Sequence, residues 1–185
     1  MTTKMTARMI LFSGGTGSGK TTISRKLADL IGWRWASFGD FVRREARRRK
    51  LSTDIRSLQE LGESMVEAGA RAFCAKFLEE AEWSRGEGIV IDGLRHLSVL
   101  NELKAIAAPV EVVLLVLDVS RTQRRQRLLS RGYSGDPLAI EEHRIESDVT
   151  SILPGQASLR VDGSLTEDES VMAILRWLSE KDSVG

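Results

Sequence analysis

The sequence predicts an α/β protein with three layers, built on a doubly wound sheet of five parallel strands. Short apolar runs alternate with longer amphipathic segments throughout the 185 residues, which is typical of strands that alternate with covering helices. The run VEVVLLVLD, Val110 to Asp118, is rich in β-branched residues and has no polar alternation after Glu111. Such a strand is buried on both faces. We therefore expect it to be central in the sheet.

The individual elements follow from apolar periodicity and from the residues that interrupt it. Leu97, Leu100, Leu103 and Ile106 keep helical spacing, and Pro109 then marks the entry to the next strand. The predicted strands are Arg8–Phe12, Trp33–Ser37, Gly88–Asp92, Val110–Asp118 and Ser158–Asp162. The predicted helices are Lys20–Ile31, Asp40–Lys50, Ile55–Trp83, Leu97–Ala107, Ser120–Arg131, Leu138–Val149 and Asp168–Glu180.

Composition restricts the class of protein. A chain of this length buries roughly 70% of its unfolded surface, so we expect one domain over residues 1–185, with a disordered tail at residues 1–7. Lys and Arg total 27 against 26 Asp and Glu, and this balance does not favour a nucleic acid as the partner. No apolar stretch nears the roughly 20 residues of a membrane span. The single cysteine, Cys74, excludes an internal disulfide and is consistent with an expected location in the reducing cytoplasm. Nothing in the sequence indicates the oligomeric state.

The segment after the first predicted strand, SGGTGSGKTT, carries a phosphate-binding motif. Gly14, Gly19, Lys20 and Thr21 satisfy G-x-x-x-x-G-K-[ST], between a predicted strand and a predicted helix as a P-loop requires. Glycines let successive backbone amides face an anion, Lys20 suits the β- and γ-phosphates, and the Thr21 hydroxyl suits Mg²⁺. A P-loop NTPase is therefore expected. The expected ATP-binding residues here are Gly15, Thr16, Gly17, Ser18, Gly19, Lys20, Thr21 and Thr22.

A P-loop alone does not distinguish a kinase from a GTPase or a switch. The guanine-reading N-K-x-D motif is absent, which disfavours a GTPase. Asp92 ends the apolar strand IVID, the usual source of a carboxylate that holds Mg²⁺ through water or through the ligands of the ion. The alternative is that Asp92 only turns the chain at Gly93. We favour the metal role.

The segment WASFGDFVRREARRRK after the second strand resembles the small nucleoside monophosphate kinases and their cytidylate kinase and dephospho-coenzyme A kinase relatives. Gly39, Asp40 and Arg43 match their Gly-Asp followed by arginine. The resemblance implies acceptor-binding helices at about residues 40–85, with Arg43 on acceptor phosphate and Asp40 facing the acceptor. Independently, arginine offers a fork of donors that matches phosphate oxygens. The remaining basic residues are expected to form a solvated face: Arg44, Arg47, Arg48, Arg49 and Lys50.

The third strand continues as IDGLRH, which is similar to the Asp-Gly segment of adenylate kinases and closer to the Asp-Gly-x-Arg of dephospho-coenzyme A kinase-like proteins. Asp92, Gly93 and Arg95 carry this match. It implies that Arg95 is a second cation on the acceptor side. Leu-Arg replaces the Phe-Pro of adenylate kinases, so their AMP contacts do not transfer to this chain.

The segment DVSRTQRRQRLLSRG resembles the helix that leads into the lid of these kinases, which implies a lid at about residues 121–148. Arg124, Arg127 and Arg131 share one stripe of the predicted helix. The alternatives are a basic surface helix or an RNA-binding face. We favour a lid role for Arg127 and Arg131, because phosphoryl-transfer transition states spread charge over oxygens that cations must neutralise.

The resemblance runs from the P-loop to the last helix, and it implies that Asp162 and Gly163, after the fifth strand, lie near the adenine of ATP. The sequence predicts an ATP- and Mg²⁺-dependent phosphotransferase with a small-molecule acceptor and with Lys20 and the lid arginines as catalytic residues. A nucleoside monophosphate is the leading acceptor. A hydroxyl acceptor such as dephospho-coenzyme A is the alternative, with Asp40 as general base. A second alternative is an ATP-dependent switch or RNA-binding regulator.

Overall fold

The computed structural model describes residues 5–130, 132 and 148–184 of the chain. Its five strands form one parallel sheet, as predicted, and their order in the sheet is β2-β3-β1-β4-β5. The strands are β1 (Arg8–Ser13), β2 (Arg34–Ser37), β3 (Ile89–Asp92), β4 (Glu111–Asp118) and β5 (Leu159–Asp162). The central position belongs to β1 and not to β4, although β4 lies beside it as an interior strand. Both strands are buried on two faces, so their apolar sequences do not show which of them occupies the centre of the sheet.

Helices cover both faces of the sheet. The helices are α1 (Lys20–Ile31), α2 (Phe38–Arg48), α3 (Ile55–Glu80), α4 (Leu97–Ala107), α5 (Arg121–Ser130) and α6 (Glu167–Val184). A π-helical turn, Asp148–Ile152, and a 3₁₀ turn, Leu153–Gln156, precede β5. The predicted helix over Leu138–Val149 and most of the predicted lid lie outside the described residues.

Side chains of β1 alternate between two hydrophobic cores. Met9 and Leu11 pack on one side with α2, α3 and α4, whereas Ile10 and Phe12 pack on the other side with α1 and α6. This alternation is the pleat of a strand buried on both faces. The resulting three layers place the carboxyl ends of β1 and β3 at one edge, where the predicted site residues collect.

Helices α2 and α3 are joined by an aromatic cluster. Phe38 and Phe41 of α2 meet Phe73 and Phe77 of α3, with ring centroids between 4.0 and 5.7 Å apart. Helix α3 is kinked at Gly69, whose backbone leaves the helical conformation. The segment after the kink anchors α3 in the core, and the segment before it extends beside the functional edge of the sheet.

Local capping explains where two helices begin. The Ser37 hydroxyl accepts a hydrogen bond from the Asp40 amide at 3.3 Å, so α2 starts at Phe38, two residues before the predicted start. The Asp54 carboxylate accepts from the Ser57 amide at 2.9 Å and starts α3 at Ile55 as predicted. Within the predicted tail, the Thr6 amide donates to the Asp182 carboxylate at 3.2 Å.

Cys74 is buried. Burial, with a smaller contribution from Glu102, raises the pKa of the thiol to about 12. The thiol therefore stays protonated near neutral pH, and Cys74 contributes to packing between α3 and α4.

Candidate active site

The P-loop connects β1 to α1 and needs glycine at several positions. Gly17 and Gly19 have φ values of +83° and +90°, which side chains other than glycine rarely adopt. A Cβ at Gly15 would collide with the Arg124 guanidinium. The loop leads directly into α1, so the amino-terminal end of the helix points at the space where the predicted phosphates lie. The predicted segment Gly15–Thr22 is thus one continuous loop and first helical turn.

Lys20 lies over this loop. Its side chain is almost fully buried, and its ammonium group donates to the Gly15 carbonyl at 3.4 Å. Lys20 also lines a cavity of about 440 Å³ that extends from the P-loop towards α2, α3 and α4. The charge of Lys20 is therefore held at the boundary between the loop and the cavity.

Thr21 and Asp92 form the predicted metal-binding pair. The Thr21 hydroxyl donates to Asp92 Oδ2 at 2.6 Å, and Asp92 is 3% exposed. Among the described residues, Asp92 Oδ1 is buried and has no hydrogen-bond partner. A buried carboxylate oxygen without a donor suits a cation, because it would otherwise remain unsatisfied. The pair would offer two oxygen atoms to a Mg²⁺ ion, which usually takes other ligands from phosphates and water.

Helix α5 packs directly on the P-loop. Arg127 donates to the Ser18 carbonyl of the loop and to the Gly163 carbonyl after β5, both at 2.9 Å. Arg124 is buried, and its guanidinium occupies the space that a Cβ on Gly15 would need. Arg131 lies outside the described residues. The sequence placed Arg124 and Arg127 on the same stripe of the helix, but of these two residues only Arg127 was predicted to be catalytic.

The loop after β5 is tied to the same place. Gly163 has no room for a side chain, because a Cβ would collide with Val119, and its amide donates to the Asp118 carbonyl at 2.8 Å. The Asp162 carboxylate accepts from the Ser164 amide, which lowers the pKa of Asp162. Through Arg127, the structure brings the predicted adenine-side loop into contact with the P-loop.

The predicted acceptor residues line the same cavity. Gly39, Asp40, Arg43 and Arg95 all belong to its lining. Arg43 donates to Asp40 Oδ1 at 2.6 Å, and Arg95 donates to the Thr16 hydroxyl of the P-loop at 3.2 Å. The structure therefore brings these four residues and the P-loop into a single cavity.

Arg25 is a cation in the cavity that the sequence analysis did not select. Its guanidinium lies 4.0 Å from the centroid of the Trp35 ring and 3.8 Å from Asp40 Oδ2. The aromatic face and the carboxylate hold the side chain in place. Arg25 lies one turn after Thr21 on α1, and this spacing was the available signal.

One part of the lining is strongly apolar. We call it the apolar wall, and it comes from α2, α3 and α4. Its members are Phe38, Val42, Ile55, Leu58, Val66, Phe73 and Val99. Gln59 and Gly62 lie within the α3 part of this wall. The cavity therefore combines a charged side at the P-loop with an apolar side at the helices.

The basic run on α2 is exposed and is paired with acidic residues. Arg48 and Arg49 donate to the buried Glu45 carboxylate, and Arg44 and Arg48 donate to Glu80. Hydrogen bonds from Arg49, Lys76 and Arg48 hold the pKa of Glu45 down at about 2. Much of the positive charge on this face is thus matched by carboxylates, as expected for a solvated face.

Comparison with known proteins assigns the family. A family model described as an AAA domain matches residues 10–147, which include the P-loop, the acceptor-side residues and α5. The chain belongs to this AAA domain family. The AAA domain protein is 33% identical over 151 residues to a UPF0200 protein of Pyrobaculum aerophilum, and the match covers 82% of this chain and 81% of the relative.

Two further comparisons relate the AAA domain protein to kinases. It is 25% identical over 218 residues to a cytidylate kinase of Ralstonia pickettii, with 91% of this chain and 90% of the relative covered. Its fold matches a gluconokinase of Sinorhizobium meliloti with a TM-score of 0.63 at 17% identity, over 95% of this chain and 94% of that one. The chain is therefore similar in sequence to a cytidylate kinase and shares the fold of a gluconokinase.

The helices were also compared with the requirements of a membrane span. Within the described ranges, none is long and apolar enough to cross a bilayer.

Proposed function

We propose that this protein transfers the γ-phosphoryl group of ATP to a nucleoside monophosphate, with Mg²⁺. The observation that carries the proposal is the single cavity in which the P-loop, three arginines and the apolar wall meet. A phosphoryl transfer needs a donor and an acceptor held in line, with charge neutralised between them. This cavity offers a donor side and an acceptor side in contact.

The donor side is built from groups that bind and orient phosphates. The amides of the P-loop and the Lys20 ammonium would hold the β- and γ-phosphates of ATP, and Arg127 and Arg124 lie against the same loop. Thr21 and Asp92 would hold Mg²⁺, which when bound neutralises phosphate charge. We further propose that Asp162 and Gly163 border the adenine.

The acceptor side supports a phosphate rather than a hydroxyl as the attacking group. Arg25, Arg43 and Arg95 bring three cations to the cavity, which suits the charge of a monophosphate. Both carboxylate oxygens of Asp40 face arginines, Oδ1 toward Arg43 and Oδ2 toward Arg25. A general base must present an oxygen to the hydroxyl that it deprotonates, and both oxygens of Asp40 already lie against arginines. Asp40 therefore fits the positioning of arginines better than general-base catalysis of hydroxyl attack.

The apolar wall supports a nucleoside acceptor. A polyol acceptor would bury several hydroxyls against apolar side chains without partners, which costs free energy. A nucleobase instead presents two apolar faces and a polar edge, and its phosphate can remain at the arginines. The RNA-regulator alternative has less support, because carboxylates match much of the charge of the basic run on α2.

The test is a transfer assay with radiolabelled ATP and Mg²⁺ against AMP, CMP, GMP, UMP and dephospho-coenzyme A. We expect label to appear in a nucleoside diphosphate, and to disappear in the Lys20→Ala variant. Label only in coenzyme A would support the hydroxyl-acceptor alternative. Transfer to none of these acceptors would contradict the proposed function.

A further inference from the structure

Gln59 is a buried polar side chain in an otherwise apolar part of the cavity. It is 9% exposed, and among the described residues its Nε2 group has no hydrogen-bond partner. Native proteins leave few buried donors unsatisfied, because each one loses its hydrogen bonds to water without replacement. An unsatisfied amide in the wall of a cavity therefore indicates a ligand that supplies the missing acceptor.

The helix face that carries Gln59 forms part of the cavity wall. Ile55, Gln59, Gly62 and Val66 follow helical spacing and all line the cavity. A Cβ at Gly62 would meet Val42 at 3.6 Å, so α2 and α3 lie close together at this position. The space for a ligand is the adjoining cavity of about 440 Å³, which has room for a planar ring beside the Gln59 amide.

We propose that Gln59 determines acceptor specificity by donating a hydrogen bond from Nε2 to a ring nitrogen or carbonyl oxygen on the edge of the acceptor's nucleobase. The faces of the base contact the apolar wall, and its phosphate contacts the arginines. The inference rests on the proposed function and adds the group that reads the base. Gln59 lies on α3, away from the P-loop, so its contribution falls on the acceptor and not on ATP.

The decisive variant is Gln59→Met, which keeps the length of the side chain and removes the amide. With the monophosphate that the wild type phosphorylates best, we expect KM to rise about tenfold or more, the cost of one lost buried hydrogen bond. The KM for ATP stays unchanged. The inhibition constant of ribose 5-phosphate, which has the sugar and phosphate without a base, also stays unchanged. Gln156→Met, at an exposed glutamine, is the matched control and leaves all three constants unchanged.

A stability measurement provides a second readout. Because Gln59→Met removes an unsatisfied buried donor, the ligand-free variant should melt about 2 °C or more above the wild type. A purely structural role for the amide would give the opposite sign. If Gln59→Met does not fold, Gln59→Glu replaces the donor with a carboxylate oxygen of the same shape, and the same rise in KM is expected.

Two results would overturn the inference while the proposed function stands. One is an unchanged monophosphate KM in the folded variants. The other is an equal loss of affinity for ribose 5-phosphate, which would mean that Gln59 shapes the site and does not read a base. A wild type that phosphorylates no nucleoside monophosphate would instead refute the proposed function and the inference with it.

Discussion

Replacing Asp40 with asparagine separates the two acceptor classes. Asn has nearly the shape of Asp but cannot take a proton from an attacking hydroxyl. A general base contributes typically 10²–10⁴-fold to the rate, so a hydroxyl acceptor predicts a loss of that size. A phosphate acceptor arrives deprotonated near neutral pH and needs only the cations. We expect kcat of Asp40→Asn to fall by less than about tenfold, below the general-base range.

The structure sets the size of the remaining effect. The Asp40 and Arg43 side chains are 38% and 41% exposed, and the Arg25 contact is longer, at 3.8 Å. Ion pairs exposed to this extent contribute about 0.2–1 kcal/mol, so releasing the arginines should change acceptor KM by at most about fivefold. Steady-state kinetics with acceptor and ATP varied separately measures both constants.

A loss in kcat of about 100-fold or more, with normal ATP binding and no recovery at high Mg²⁺, would refute this reasoning and favour the hydroxyl acceptor. Recovery at high Mg²⁺ would instead assign Asp40 to the metal. Asp29→Asn, at an exposed carboxylate on α1, removes the same charge outside the cavity and is the control.

Three further predictions follow from the site and its surroundings. Lys20→Ala should keep the melting temperature but lower kcat about 10²-fold or more, and a folded variant with normal turnover would contradict a catalytic Lys20. Arg127→Ala should lower kcat more than it raises acceptor KM. The control is Arg56→Ala, at an exposed ion pair with Glu60, and it should change neither constant. An equal loss of kcat in both variants would mean that overall positive charge matters and not the position of Arg127. Glu45→Gln should lower the free energy of unfolding at pH 7 by about 1–2 kcal/mol. This loss is smaller than the pKa shift of Glu45 alone would give, because its arginine partners are about half exposed and water screens the ion pairs. The pKa of Glu45 falls from 4.5 to about 2 on folding. Denaturation at several pH values should therefore show the stability difference between wild type and Glu45→Gln shrinking as the pH drops from 4.5 to about 2. A stability difference that does not depend on pH would contradict the ion-pair account.

Local sequence determined the elements and the P-loop. Apolar periodicity predicted α1 and α4 at the observed bounds, because each helix depends on the spacing of its own apolar residues. Glycine spacing predicted the phosphate loop, because few sequences permit that backbone. The prediction placed the start of α2 two residues too late, because it did not recognise Ser37 as the residue that caps the helix. The ligand roles of the site residues stay predictions.

Tertiary structure decided which side chains share the cavity. Arg25 reaches it because Trp35 of β2 and Asp40 of α2 hold the guanidinium there. Gln59 looks in sequence like any polar residue on a helix, and only the surrounding apolar wall leaves its amide buried without a partner. Burial and hydrogen-bond satisfaction depend on atoms from distant segments, so they arise only when the sheet order brings α1, α2 and α3 to the same edge.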